Sequence, residues 1–343
     1  MKRDLAIKCI LAHVAPEFEA NRKSIQETDF LAFELDYILK LASTNGLRYI
    51  FLKKLQEAAP DDQKVQRYWQ YSQDDLAKLK YTLTSLKEMI CRDSLKVLLI
   101  KMPHLISHIP KDVDLFVPKA HLSQVLGALE KYKLKLHDLF LLDEVESKYW
   151  PVDIYTEIKY HNMIGIKPEE LWCHQSEARL FGETLPGLTD EMNLIITLLH
   201  GFFGHRRLTL LDFLHARKLL FTANQEICCQ IAQKNGWHKA YQQMTAKIRE
   251  LENILLQGKL IHFPYSLSLK FILTIYNSVD GVTLSFRDTL TLMLILIRDR
   301  IVRNLENSCF YQYVLRRKKL RYLFNKKLSG ITHSLENAVR IKE

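Results

Sequence analysis

The chain has little with which to cross a membrane or to staple itself together. Its longest apolar run toward the C-terminus, Leu292 to Ile297, is far shorter than the roughly 20 residues a bilayer-spanning helix needs. Met1-Lys2-Arg3 leads into a brief mixed segment rather than a signal-peptide core, so the expected location is the cytoplasm. The six cysteines, Cys9, Cys91, Cys173, Cys228, Cys229 and Cys309, form no C-x-x-C pair. That scatter argues against a structural zinc site and suits reduced core thiols. No internal repeat is visible, and no segment is polar enough to suggest disorder.

What is present is a globular composition with a basic surplus. Of 343 residues, 48% are apolar and 26% charged, enough for two or three domains and a large core. The net charge is +10 and the pI about 9.1. Such a balance favours anionic partners, whether nucleotide, nucleic acid or an acidic membrane surface, without choosing among them.

The first 70 residues read as helical. Phe30, Leu31, Phe33, Leu35, Ile38, Leu39 and Leu41 recur at the spacing of one apolar helix face, and Asn45-Gly46 supplies a stop. Leu47 to Ala59 reads as the next helix, ended by Pro60-Asp61-Asp62. A further helix is expected from Ser72, with Asp75 three residues on in a capping-box-like arrangement, to about Asp93.

The chemistry concentrates in Lys96 to Val117, KVLLIKMPHLISHIPKDVDLFV. An apolar strand, Lys96 to Ile100, is followed by a connection and then by Asp112-Val113-Asp114-Leu115-Phe116-Val117. Strand side chains alternate between faces, so Asp112 and Asp114 share one face and Val113 and Leu115 the other. Adjacent carboxylates repel unless a cation or a proton lies between them. A hard divalent ion such as Mg²⁺ suits them, because it takes one or two carboxylates and completes its shell with water and phosphate oxygens. A bare D-x-D is also compatible with a solvated strand end.

After a helix from Ala120 to Tyr132 with a stripe of Leu122, Val125, Leu126 and Leu129, Leu134 to Leu142 reads as a strand. Val152-Asp153-Ile154-Tyr155 is a second short strand with an acid in its middle. Two-metal transfer of a nucleotidyl group needs a third carboxylate, and Asp153 is the candidate. Lys101 stands where an ammonium could meet a triphosphate, or where a strand end is simply solvated. His104 and His108 are expected to be loop or surface histidines rather than zinc ligands.

Taken with its flanks, the chain resembles the nucleotidyltransferase superfamily with a polymerase-beta-like fold, and within it nucleotidyltransferase family 5. The matching pieces are LLIK ending in Lys101, DVDLFV, VDIY around Asp153, the segment Pro168-Glu169-Glu170-Leu171-Trp172, and the run Leu188 to Leu220 with His200, Arg206 or Arg207, and Asp212. They cover roughly Gln70 to Phe221. The resemblance implies an α+β fold with a mixed sheet flanked by helices: a helical N-terminal region (1–70), a nucleotidyltransferase core (71–187), and a helical C-terminal domain with a basic tail (188–343). It implies Mg²⁺ or Mn²⁺ at Asp112, Asp114 and Asp153, and transfer of a nucleoside monophosphate from an NTP with release of pyrophosphate. The acceptor would be a small molecule, glycan precursor, protein or RNA. One departure matters. The superfamily's Gly-Ser or Gly-Gly pair after the first strand is replaced by Met102-Pro103, and no glycine lies between Lys101 and Asp112. Proline has no N–H to offer a phosphate. Contacts to the nucleotide would then come from Lys101, Ser107, Lys111 and Arg207. The alternative function is a catalytically degenerate module that binds a nucleotide or a partner chain.

Beyond Thr189 the pattern is helical almost throughout. Thr189 is expected to cap a helix with Asp190 and Glu191 in its first turn. His200 is expected at its end as a core histidine, and Asp212 as a structural acid pairing with Arg206 or Arg207. Helices follow over Gln225 to Asn235, Trp237 to Gln257, Leu267 to Asn277 and Thr283 to Arg303. The tail Val314 to Leu328 carries seven basic residues and no acid among leucines and aromatics. If helical, it could dock on its own domain, grip RNA or DNA phosphates, or lie on an anionic membrane surface.

Overall fold

A computed structural model describes residues 2–15, 18, 35–101, 106, 108–134, 149–160 and 164–280. The chain forms two compact units, residues 1–267 and 268–343. Both helices and small mixed sheets are present, so the class is α+β. Among the described residues, no helix is long and apolar enough to cross a membrane.

The larger unit begins with four helices: α1 (Lys2–Val14), α2 (Leu35–Thr44), α3 (Arg48–Ala58) and α4 (Gln63–Arg92). Gly46, at φ 73°, takes the left-handed turn that separates α2 from α3, as the Asn45-Gly46 stop predicts. Phe30 to Phe33 lie outside the described residues.

The structure corrects one start. Asp62, not Ser72, caps α4: its carboxylate accepts from the amides of Lys64 and Val65. Ser72 is buried mid-helix. The intervening Arg67 to Tyr71 contains no glycine or proline, so nothing halts propagation from Asp62 onward. As a result α4 runs 30 residues, straight through the expected boundary at 70/71.

Strands β1 (Leu98–Leu99), β2 (Val113–Phe116) and β3 (Val152–Tyr155) make a three-stranded sheet in that spatial order. β1 pairs antiparallel with β2, and β2 pairs parallel with β3. Helix α5 (Leu122–Lys131) follows β2 and supplies part of the crossover. One face of the sheet is dry. Val113 and Leu115 from β2, Leu99 and Val152 pack with Leu79, Leu83, Leu86 and Met89 of α4 and with Val125 and Leu129 of α5. At about 25 cal/mol per Å² of apolar area, this layer is the main support of the sheet. The alternation that turns Val113 and Leu115 inward turns Asp114 to the other face. Lys135 to Leu142, where most of a strand is expected, lie outside the described residues.

Two hairpins follow. β4 (Ile158–Tyr160) pairs with β5 (Ile164–Ile166), and after the short helix α6 (Pro168–Cys173), β6 (Gln175–Leu180) pairs with β7 (Glu183–Leu188). No strand is expected from the sequence between Cys173 and Leu188. The second hairpin turns at Phe181 and Gly182, both at positive φ, and buries Ala178, Leu180 and Leu185 against the same core as α4.

Helices α7 (Asp190–Leu199), α8 (Leu210–Thr222), α9 (Gln225–Lys234) and α10 (His238–Leu256) complete the unit. Thr189 caps α7 as expected, accepting from the Met192 amide. Polar contacts tie α6 and β5 to this helical region: Lys234 pairs with buried Glu170 of α6, and Trp237 donates from its indole to the Gly165 carbonyl of β5. A two-residue strand, β8 (Arg207–Leu208), pairs with β9 (Tyr265–Ser266). In the second unit, α11 (Leu269–Tyr276) is capped by Ser268; Thr283 to Arg303 and the basic tail 314–328 lie outside the described residues.

The cysteines are not uniformly core residues. Cys9 and Cys228 are buried, Cys229 is half-buried, and Cys91 and Cys173 are exposed. Cys91 and Cys173 sit at the polar ends of helices, which the apolar look of their surroundings in sequence conceals.

Candidate metal centre

Parallel pairing sets Asp114 opposite Asp153 and Phe116 opposite Tyr155, all four on the face away from the core. Asp112 enters β2 one alternation earlier. The register is held at both ends: the Val113 amide donates to the Pro151 carbonyl, and the Val117 amide to the Tyr155 carbonyl. From the edge strand, the Ile100 amide donates to the Asp114 carbonyl.

The outcome is a three-acid cluster. One carboxylate oxygen from each of Asp112, Asp114 and Asp153 lies within 4.8 Å of the other two. Asp114 is only 6% exposed, while Asp112 and Asp153 are half-buried. Burial raises the Asp114 proton affinity, Lys101 opposes that effect, and the neighbouring Asp112 adds to it. This donor set is all oxygen and anionic. A Mg²⁺ or Mn²⁺ ion with metal–oxygen distances of about 2.1 Å spans oxygens about 3 to 4 Å apart, so a small contraction would bring these onto one ion. The residues fit such an ion.

Lys101 is already part of this cluster. Its Nζ lies 3.0 Å from Asp114 Oδ1 and 3.9 Å from the centre of the Tyr155 ring. The Tyr155 hydroxyl is hydrogen-bonded to Asp114 and held protonated, first by burial and then by the Asp114 charge. Of the two sequence readings of Lys101, the solvated strand end is therefore wrong.

A second group of titratable side chains forms at the end of α7. α7 passes into a wider turn over His200–Gly204, in which the His205 amide donates to the His200 carbonyl five residues back, at 2.8 Å. That turn brings the imidazoles of His200 and His205 to 4.2 Å between ring centres. Tyr160 of β4 packs on them, 6.5 Å from the His200 ring. A Cβ at Gly204 would come within 2.9 Å of the Tyr160 ring, so a larger residue there would displace one of the two. Burial, then the charges of His205 and Lys101, push the His200 imidazole down to about 3. His205 is pushed down by burial of its ring and then by Arg207, Lys101, Lys111 and Arg206. These four cations therefore lie within electrostatic reach of one imidazole. Lys101 is within electrostatic reach of both the acids and the histidines.

Most of the residues singled out in the sequence are brought together. Asp112, Asp114, Asp153 and Lys101 cluster, and Lys111 and Arg207 lie on the cationic side; Ser107 and His104 lie outside the described residues. His108 lies in a loop, as expected, but half-buried rather than on the open surface, with its ring centre 5.1 Å from that of His215 on α8. Asp212 is structural, as expected, but through a different partner. It forms a reciprocal capping box with Thr209, accepting from the Thr209 amide at 3.0 Å and hydroxyl at 2.7 Å while its own amide donates back. Tyr155, Tyr160 and His205 were not singled out in the sequence. For Tyr155 the signal was available, because strand alternation from Asp153 puts it on the same face; for His205 it was not, because a five-residue turn breaks helical spacing.

No protein-family model, curated protein or solved structure matches this chain.

Proposed function

We propose that the protein is a divalent-metal-dependent nucleotidyltransferase with a polymerase-beta-like core, moving a nucleoside monophosphate from an NTP to an acceptor hydroxyl. The observation that carries this reading is the convergence of Asp112, Asp114 and Asp153, within 4.8 Å, from two parallel strands paired in register. When bound there, a divalent ion would neutralise phosphate charge and favour the alkoxide form of an attacking hydroxyl. The chain's own contribution is positional. The sheet fixes the carboxylates, Tyr155 keeps one Asp114 lone pair occupied, and Lys111, Arg206 and Arg207 set a positive potential where the polyphosphate would lie.

A degenerate, nucleotide-binding module is the second reading. It is favoured by the absence of any glycine between Lys101 and Asp112, where backbone amides would otherwise cradle phosphate. The two readings separate in one experiment: calorimetry with each NTP and Mg²⁺, paired with a pyrophosphate-release screen over pooled cell extracts that offer small molecules, glycan precursors, proteins and RNA. An enzyme gives both binding and release, each lost in Asp112→Ala/Asp114→Ala. A module gives binding alone. Identical behaviour of wild type and double variant defeats the metal-centre reading altogether.

A further inference from the structure

We infer that Lys101 is the resident counter-ion of the acid cluster, and that a divalent cation binds only by expelling its ammonium from Asp114. The inference rests on the metal-centre reading above and concerns how that centre is regulated.

Three observations carry it. The ammonium contacts the most buried of the three acids, and both side chains are sheltered, at 14% and 9% exposed, so this is not a solvated surface pair. The centre of the Tyr155 ring lies 3.9 Å from the same ammonium, and an aromatic face suits an alkylammonium better than a hard metal ion. Lys101 also adopts a left-handed backbone conformation, φ 55°, which is uncommon for a residue with a Cβ and is kept where surrounding contacts hold it.

An ammonium at hydrogen-bond distance from Asp114 Oδ1 repels a dication on the same carboxylate and takes up part of its negative charge. Lys101 therefore competes with the metal. In the metal-free protein it offsets the mutual repulsion of the carboxylates. Once displaced, it carries its charge toward the region that His200 and His205 border, where a phosphate would receive it. The metal and the anionic substrate would then reinforce each other's binding, since each favours the released lysine.

The test uses Mn²⁺ alone on the full-length chain at pH 8, with free Mn²⁺ followed by electron paramagnetic resonance. Lys101→Met should bind Mn²⁺ roughly tenfold more tightly than wild type, and Lys101→Arg, which keeps the charge, should not. A second readout needs no variant. The acetylation rate of Lys101 in the wild-type protein should rise severalfold on saturation with Mn²⁺ while other lysines stay unchanged, and this result decides the matter if Lys101→Met does not fold. Equal or weaker Mn²⁺ binding by a folded Lys101→Met, or a Lys101 acetylation rate indifferent to bound Mn²⁺, overturns the inference and leaves the acid cluster standing as a metal site. Absence of Mn²⁺ binding in both proteins overturns the metal centre itself, and the inference with it.

Discussion

The imidazole of His108, on the segment that leads into β2, lies with its centre 5.1 Å from that of His215 on α8. Nδ1 of His108 is 3.0 Å from the carbonyl of Ile106. The contact fastens the approach to Asp112 onto a helix about a hundred residues later in the chain. It holds only while both rings are neutral, and burial lowers the proton affinity of each.

Acid should therefore loosen the fold well before carboxylates are titrated. His108, His215 and His200 all bind a proton less readily folded than unfolded, so below their ordinary value of 6.5 the unfolded chain takes up more protons and is favoured. The stability they contribute is complete above pH 6.5 and is lost progressively below it, for His200 down to about 3. His200 alone should account for a loss on the order of 2 kcal/mol between pH 6.5 and about pH 4. Urea midpoints measured across that range should fall with pH, and the fall should be shallower in His200→Gln.

Opposite faces of one sheet should give opposite phenotypes. Leu115→Ala removes a buried side chain from the α4 and α5 layer and should cost about 2 to 5 kcal/mol in unfolding free energy. Asp153→Asn, on the other face, should leave unfolding within about 1 kcal/mol of wild type, since it removes one of three like charges. On the proposed function, NTP-dependent pyrophosphate release by this variant should drop at least roughly a hundredfold, about 3 kcal/mol of barrier.

The start of α4 is checked by a pair of alanines. Asp62→Ala should cost about 1 kcal/mol, the usual worth of an N-cap, while Ser72→Ala should stay within about 0.5 kcal/mol. Guanidinium titrations of the two variants would distinguish them, and the reverse ranking would restore the helix start at Ser72.

Thr209→Ala should cost about 1 kcal/mol through loss of the capping box, and should also act on binding. Arg206 and Arg207 lie three and two residues before this cap, and Arg206 sits at φ 52°. Fraying the first turn of α8 should raise the KM for NTP more than it lowers kcat, read from initial rates across NTP concentrations.

How far these features were legible in the sequence depends on their range. D-x-D at the entry to an apolar strand announces two acids on one face because strand alternation is local. Asp153 could be singled out from the order of elements, but its alignment with Asp114 is a property of parallel pairing across 39 positions, which no local pattern encodes. The same limit hid the contact of His108 with His215, whose partners share no periodicity. Ser72 misled for the opposite reason: a strong local cap signal was overruled by an uninterrupted helix already started at Asp62. The true partner of Asp212 is three residues away, in a Thr-x-x-Asp pattern that was legible and outweighed by the attraction of nearby arginines.

Asn45 joins the N-terminal helices to the site. Its side-chain oxygen accepts from the Leu210 amide at 3.1 Å, and its carbonyl from the Leu211 amide, so the opening turn of α8 is completed by a residue 165 positions earlier. A protein trimmed to begin near Tyr71 would thus be more than a shortened version of this one. It would leave two amide protons of α8 unclaimed just after the arginine-bearing turn, and limited proteolysis that removes the first helices should be felt there, more than 150 positions along the chain.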